Sequence, residues 1–217
     1  MIESRCKWIE DYFNRSGMNG IVIGLSGGLD SAVVAYLITK AIGKNKICGL
    51  IMPCCSNPNS EKDAKEIANI LKINYQIVNL EEMFELFQKK IYRLNSMASA
   101  NLKARLRMIT LYAFANNNDW LVAGTENKIE HLLGYFTKWG DQCSDFEPII
   151  DLTKTEVREL SKKLDMPKHI IDKPPSADLW EGQTDEKELG FSYEIAEKIL
   201  NMMNNSNHKR TVATYQA

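Results

Sequence analysis

The 217-residue sequence predicts an α/β fold, doubly wound in three layers around a central, mostly parallel sheet of about five strands. Three observations carry that expectation. Short apolar runs of strand length alternate with longer segments whose apolar residues recur at helical spacing. A glycine-rich turn, Gly24-Leu25-Ser26-Gly27-Gly28-Leu29-Asp30-Ser31, joins the first of these runs to a helix. The length suits one domain with a sizeable core and leaves no room for a second of ordinary size, so residues 1–217 are expected to form a single unit.

The elements follow in order. A first helix is expected from about Ile2 to Arg15, with Ile2, Cys6, Ile9 and Phe13 on one face, and the segment Gly17 to Gly20 ends it. Ile21-Val22-Ile23 reads as the first strand. A helix from Ser31 runs to Gly43, and Lys46 to Met52 reads as a buried strand stopped by Pro53. The next helix spans about Ser60 to Leu71, and Tyr75 to Val78 is a short strand. Asn101 to Ala115 has helical spacing through Leu102, Leu106, Ile109 and Phe114, and Asp119 to Ala123 gives a fourth strand ending at Gly124-Thr125. Ligands of such sheets gather at the carboxyl ends of strands, so Gly24, Met52-Pro53 and Gly124 should converge on one crevice. Gly134 to Phe146 and Asp172 to Gly190 read as loops, the second a possible cover for the crevice. Between them Thr153 and Glu156 form a capping box for a helix running to Leu164, and a last amphipathic helix spans about Ser192 to Asn204.

Composition narrows the function. Twenty-seven Lys and Arg against 28 Asp and Glu leave a formal charge of -1, which supplies no general field for a nucleic acid. The five cysteines are an odd number without CxxC spacing, which argues against a disulfide framework or a zinc site and for reduced thiols in the cytoplasm. The N-terminal residues carry acids at helical spacing rather than a basic start and an apolar block, and no stretch has the length of a membrane span. Neither export nor a membrane partner is expected.

The turn from Gly24 to Ser31 reads as a phosphate cradle with a built-in carboxylate. Glycines let the backbone approach a ligand, and the N–H groups opening the next helix point at an anion there. Ser26 and Ser31 add donors, while Asp30 repels an anion unless a cation lies between them. The pattern is neither the Walker loop nor GxGxxG. Thr125 and Glu130, just past the fourth strand, could face the same crevice, where Glu130 and Asp30 could share a magnesium ion across a triphosphate. The alternatives are a Glu130 on a solvated helix face, or Glu126 in its role. Tyr135 to Asp141 mixes aromatics with Lys138 and a carboxylate, which suits a flat charged ligand as well as a loop that plugs the core. Lys154 near a helix start opposes the helix dipole unless an anion shares the site; otherwise it is a surface lysine. Arg105 and Arg107 stand two apart on a helix, so only one should reach a given ligand.

GLSGGLDS matches the SGGxDS signature of ATP pyrophosphatases. Together with NLKARLRM, GTENKIE, GYFTKWGD, PPSADLWEGQTDEKELGFSYE and HKR, it resembles in order and spacing the NH3-dependent NAD+ synthetases of the PP-loop superfamily, over about Ile21 to Arg210. The resemblance implies an adenine nucleotide alpha hydrolase-like fold and a C–N-forming ligase. ATP would adenylate the nicotinate carboxylate of deamido-NAD+, with release of pyrophosphate, and ammonia would displace AMP to leave NAD+. It places Gly24, Leu25, Ser26, Gly27, Gly28, Leu29, Asp30, Ser31, Thr125, Lys154 and Ser176 on ATP, with Asp30 and Glu130 as magnesium ligands. Arg105, Lys138, Asp145, His208 and Lys209 would meet deamido-NAD+, across a homodimer. Asp30 and Lys154 would serve catalysis, and Asp141 is the candidate for deprotonating ammonium, with Asp145 the alternative. Ser176 stands where a threonine is common and keeps the hydroxyl; Glu126-Asn127-Lys128 replaces the Asp-His-Ala of many members. No glutaminase domain is expected, so ammonia comes free or from a separate subunit. The competing expectations are another PP-loop ATP pyrophosphatase with a different acceptor, or a non-catalytic nucleotide-binding protein.

Overall fold

Four parallel strands form the central sheet: β1 (Gly20–Gly24), β2 (Ile47–Ile51), β3 (Asn74–Ile77) and β4 (Trp120–Ala123), in the order β3-β2-β1-β4. This computed structural model describes residues 1–205 except Tyr92 and Glu181. Central β1 and β2 are continuously apolar because helices cover both of their faces, whereas edge strand β3 is mostly exposed. Pairing sets Ile21 beside Ile47 and Leu121, and Val22 beside Cys48 and Val122.

The two-residue side-chain period of the strands sorts the core into two layers. Ile21, Ile23, Ile47, Ile51 and Leu121 pack with α1 (Ile2–Ser16), α2 (Leu29–Ile42), α3 (Pro58–Leu71), α7 (Lys154–Lys163) and α8 (Lys168–Ile171). Val22, Cys48, Leu50 and Val122 face α4 (Glu81–Lys90) and α5 (Ser96–Asn118) through Phe84 and Leu106. The three layers are those expected. A smaller group at the edge joins Ile129 of α6 (Lys128–Leu133) to Tyr193 and Ala196 of α10 (Tyr193–Asn205), and α9 (Asp185–Leu189) lies just before α10 in the chain.

Helix starts follow local chemistry. The Thr153–Glu156 capping box opens α7 as expected, and a second one, from Asn127 to Glu130, opens α6. Asn57 caps α3 with Pro58 in its first turn, and Asn95 caps α5, moving its start five residues ahead of the expected Asn101. Among the described residues the sheet has four strands rather than about five. Beyond β4 the ladder continues only as a single parallel bridge from Ala123 to Phe146. Pro148, two residues on, has no N–H to extend it. Helix α4 was not expected, since its only buried side chain is Phe84 and its apolar stripe is otherwise exposed.

Candidate active site

The carboxyl ends of β1, β2 and β4 open into one cavity of about 450 Å³. Gly24, Met52-Pro53 and Gly124 all line it, as parallel strand topology requires. Its floor is the phosphate loop: Gly24, Leu25, Ser26, Gly28, Leu29, Asp30 and Ser31. Gly27 alone of that run is turned away from the cavity lining. It has a left-handed φ of 73°, and a Cβ there would stand 2.2 Å from the Ser60 carbonyl oxygen, so only glycine lets the loop rest against α3. Within the loop the Gly28 N–H donates to Ser26 Oγ at 3.2 Å, the Ser26 N–H donates to Ser31 Oγ at 3.3 Å, and the two hydroxyls lie 3.0 Å apart. These groups crowd the first turn of α2, where the helix favours an anion.

Lys154 occupies the first position of α7 and is 3% exposed. A lysine there opposes the dipole, and anions do share its site. Its ammonium is hydrogen-bonded to Asp30 Oδ2 and lies 3.7 Å from Glu130 Oε1. Burial by itself would lower the Lys154 pKa, but Asp30 and Glu130 outweigh it and hold the ammonium above its ordinary range. Glu130 is therefore no residue of a solvated face. Its Oε2 accepts the Asn127 N–H at 3.1 Å in the capping box, while Oε1 faces Lys154 and stands 3.0 Å from the Tyr193 hydroxyl.

Tyr193 is 1% exposed, and its hydroxyl donates to Asp185 Oδ2 at 2.8 Å. One hydroxyl proton thus faces two carboxyls. Burial raises both Glu130 and Asp185, with Lys154 opposing it in each case, which favours a shared proton on this pair. The segment 172–190 contributes Pro174, Pro175, Ser176 and Asp185 to the cavity, opposite the phosphate loop.

Asp30 Oδ1 is buried and has no hydrogen-bond partner among the described residues. Such an orphaned carboxylate oxygen suits a cation. No group of three or more His, Cys, Asp or Glu among the described residues is arranged to hold a metal by itself. Magnesium needs only one or two carboxylates when phosphates supply further oxygens, so Asp30 Oδ1 fits it directly, and Glu130 would join as a second donor by giving up one of its present hydrogen bonds.

Of the expected site residues, Thr125, Glu130, Asp141, Lys154 and Ser176 all line the cavity with the loop. Arg105, Lys138 and Asp145 are not in its lining. Arg105 donates to the Lys138 carbonyl through Nε at 3.3 Å and Nη2 at 3.0 Å, so these two lie together outside it. Asp145 spends one oxygen on the Val122 N–H at 2.7 Å and the other on the Tyr112 hydroxyl at 3.2 Å. His208 and Lys209 lie outside the described residues. The two arginines do part company, and it is Arg107 that lines the cavity, donating to the Met52 carbonyl at 3.2 Å and Ser56 Oγ at 3.0 Å.

Sequence reasoning missed Lys173, which lines the cavity, and the Tyr193–Asp185 pair, which no spacing connects to Glu130. It also missed Glu147, whose Oε2 accepts the Glu126 N–H at 3.1 Å and whose Oε1 accepts the Ser144 hydroxyl at 2.8 Å, beside Gly124. Burial pushes both Glu126 and Glu147 up to about 7. The Pro pair after Lys173 was a usable signal, since proline restricts the residue before it.

A family model described as NAD synthase matches residues 1–216. The NH(3)-dependent NAD(+) synthetase of Thermococcus sibiricus is 47% identical, over 92% of this chain and 79% of its own. That of Carboxydothermus hydrogenoformans is 44% identical, over 97% and 94%. Among solved structures, NMN synthetase from Francisella tularensis matches with a TM-score of 0.87 and 37% identity, covering 99% of this chain and 96% of the other. The NH3-dependent NAD synthetase from Campylobacter jejuni, in complex with the nitrate ion, matches with a TM-score of 0.80 and 31% identity, over 94% and 83%.

Proposed function

Because the chain belongs to the NAD synthase family, we propose that it is an ammonia-dependent NAD+ synthetase, a ligase that amidates deamido-NAD+ at the expense of ATP. One observation carries the reading: Lys154, Asp30 and Glu130 meet at the edge of a phosphate loop inside a single cavity. A buried lysine clamped between two acids beside a phosphate loop suits a site where charge develops on phosphates during reaction.

In the first step a nicotinate carboxylate oxygen bonds to the α-phosphorus of ATP and pyrophosphate leaves. Ammonia then bonds to the acyl carbon, AMP leaves with the bonding pair, and one ammonia proton is lost. Both nucleophiles belong to substrates, so the chain supplies alignment, charge and exclusion of water. The loop from Gly24 to Ser31 would hold the phosphates, Thr125 and Ser176 would donate to ATP, and Lys154 would offset charge growing on the phosphates. Asp30 and Glu130 would hold magnesium, which when bound offsets phosphate charge. For the proton on ammonium, Asp141 is the better acceptor: it lines the cavity, whereas Asp145 has both oxygens engaged.

Arg105, Lys138, Asp145, His208 and Lys209 are assigned to deamido-NAD+. Because the first three lie outside the cavity lining, the assignment suits a dinucleotide site completed by a second copy. The exposed apolar residues Leu86, Phe87 and Ile91 of the α4 region and Met97 and Ile109 of α5 support a homodimer on that side. Residues 1–217 act as a single synthetase domain with ammonia as the nitrogen donor, and five free cysteines suit the cytoplasm. No described helix is long and apolar enough to cross a membrane.

A second reading has one observation behind it. The Francisella tularensis NMN synthetase is covered almost end to end at a TM-score of 0.87, so a mononucleotide acceptor suits the same cavity. Incubation with ATP, magnesium, ammonium and each acceptor in turn separates the readings. NAD+ from deamido-NAD+ is expected. Amidation of nicotinic acid mononucleotide alone would select the second reading, and amination of xanthosine monophosphate alone would overturn both.

A further inference from the structure

Lys173 stands between α8 and the Pro174-Pro175 pair, and the following proline disfavours the helical region at its backbone. Its ammonium donates to Asp63 Oδ2 at 2.6 Å and to the Gly27 carbonyl at 3.0 Å. One side chain therefore ties three places together: the start of the 172–190 wall, the phosphate loop and the first turns of α3. Asp63 is partly buried, and His169 Nε2 stands 3.9 Å from its other oxygen.

The Gly27 contact matters because a peptide group is planar and trans, with its carbonyl and the following N–H pointing in opposite directions. Holding the Gly27 carbonyl toward Lys173 turns the Gly28 N–H the other way, toward Ser26 Oγ in the cavity. Gly27 has no freedom to drift toward α3, because its own backbone already rests against Ser60. The same ammonium fixes where the wall bearing Ser176 begins, three residues on. We infer that Lys173 is a positioning residue of the ATP site, acting through the Gly27 carbonyl to aim the Gly28 N–H at the β- and γ-phosphates and to register the Ser176 wall against the phosphate loop.

The inference rests on the ATP-dependent reading above, but its test does not need the acceptor. Binding of ATP, inorganic pyrophosphate and AMP to the full chain is measured by calorimetry for the parent, Lys173→Met, Lys173→Arg and the double variant Lys173→Met/Asp63→Asn. The double variant removes the acid that Lys173→Met would leave unpaired. Loss of a charge-assisted hydrogen bond should weaken ATP and pyrophosphate by about tenfold or more. AMP, which lacks those phosphates, should bind as to the parent, and Lys173→Arg should restore part of the loss. In steady state KM for ATP should rise more than kcat falls. A lysine that merely braced the fold would lower Tm and weaken the three ligands alike, and either that pattern or unchanged ATP and pyrophosphate binding in both Met variants would overturn the inference. Failure of the ATP-dependent reading would show differently, as a parent chain that binds ATP and forms no amide product.

Discussion

The ammonium of Lys154 is hydrogen-bonded to the carboxylate of Asp30 across 124 residues of sequence, inside the cavity where β1 and β4 end. That bond joins the phosphate loop to the start of α7 and makes the two ends of the site one electrostatic unit. Removing either partner should be costly in a different way. Lys154→Ala leaves Asp30 and Glu130 as buried acids without their cation, which should destabilise the fold by about 3–5 kcal/mol and abolish NAD+ formation. Asp30→Asn keeps shape and a hydrogen-bond acceptor for Lys154, so the fold should survive while turnover falls by about a hundredfold or more. Chemical denaturation and an NAD+ assay on both variants check the contrast; an active Asp30→Asn would remove Asp30 from the metal role.

Tyr193→Phe deletes the hydroxyl that meets Asp185 at 2.8 Å and Glu130 at 3.0 Å, with no change in ring packing. Each buried carboxyl then loses one hydrogen bond, Glu130 keeping the Asn127 N–H and Lys154, and Asp185 keeping the Tyr135 hydroxyl, at a cost of about 1–3 kcal/mol. In a domain of this size Tm should fall by about 2–4 °C for each kcal/mol. Thermal unfolding that matched the parent would show that the hydroxyl does not hold the pair together.

Glu147 should give the fold a pH dependence of its own. Burial raises its carboxyl from an ordinary 4.5 to about 7, so the folded chain binds a proton that the unfolded chain has released. Its stabilising contribution is complete below 4.5 and is lost as pH rises through about 7. Glu147→Gln is neutral throughout, keeps an acceptor for the Glu126 N–H and should lose less stability than the parent across that window. Denaturant midpoints measured on both sides of neutrality test this, and identical slopes for the two proteins would refute it.

The exposed stripe on α4 and α5 predicts the assembly. Leu86 and Ile109 are 55% and 56% exposed, on two helices that pack against each other. Introducing Leu86→Glu and Ile109→Glu together should shift the molar mass measured by light scattering from twice the chain mass to 24.7 kDa. A parent already at that mass would show that no surface pairs the copies, and a variant that stayed at twice that mass would show that another surface does.

Much of the fold was legible because its signals are local. Ile21-Val22-Ile23 and the glycine turn mark strand, loop and helix within a dozen residues, and Thr153 with Glu156 marks the start of α7 within four. Helix α4 escaped because it buries little beyond Phe84, so its stripe does not stand out from a solvated helix. The fifth strand failed for want of a donor at Pro148, which leaves Phe146 a lone bridge. Glu130 was legible as a candidate, yet spacing could not choose between a solvated face and the crevice, because the choice depends on Tyr193, 63 residues later.

By itself the sequence determined the phosphate loop, the parallel order of the elements and the residue types needed to hold a triphosphate, since each depends on glycine geometry, apolar period or capping within a few residues. Only the tertiary structure decided which charges meet. Lys154 reaches Asp30 and Glu130, Lys173 reaches Gly27 and Asp63, and Arg107 rather than Arg105 enters the cavity. The physical reason is that a charge can be buried only where packing delivers its partner, and in this chain the partners arrive from elements far apart in the sequence that no local pattern brings together.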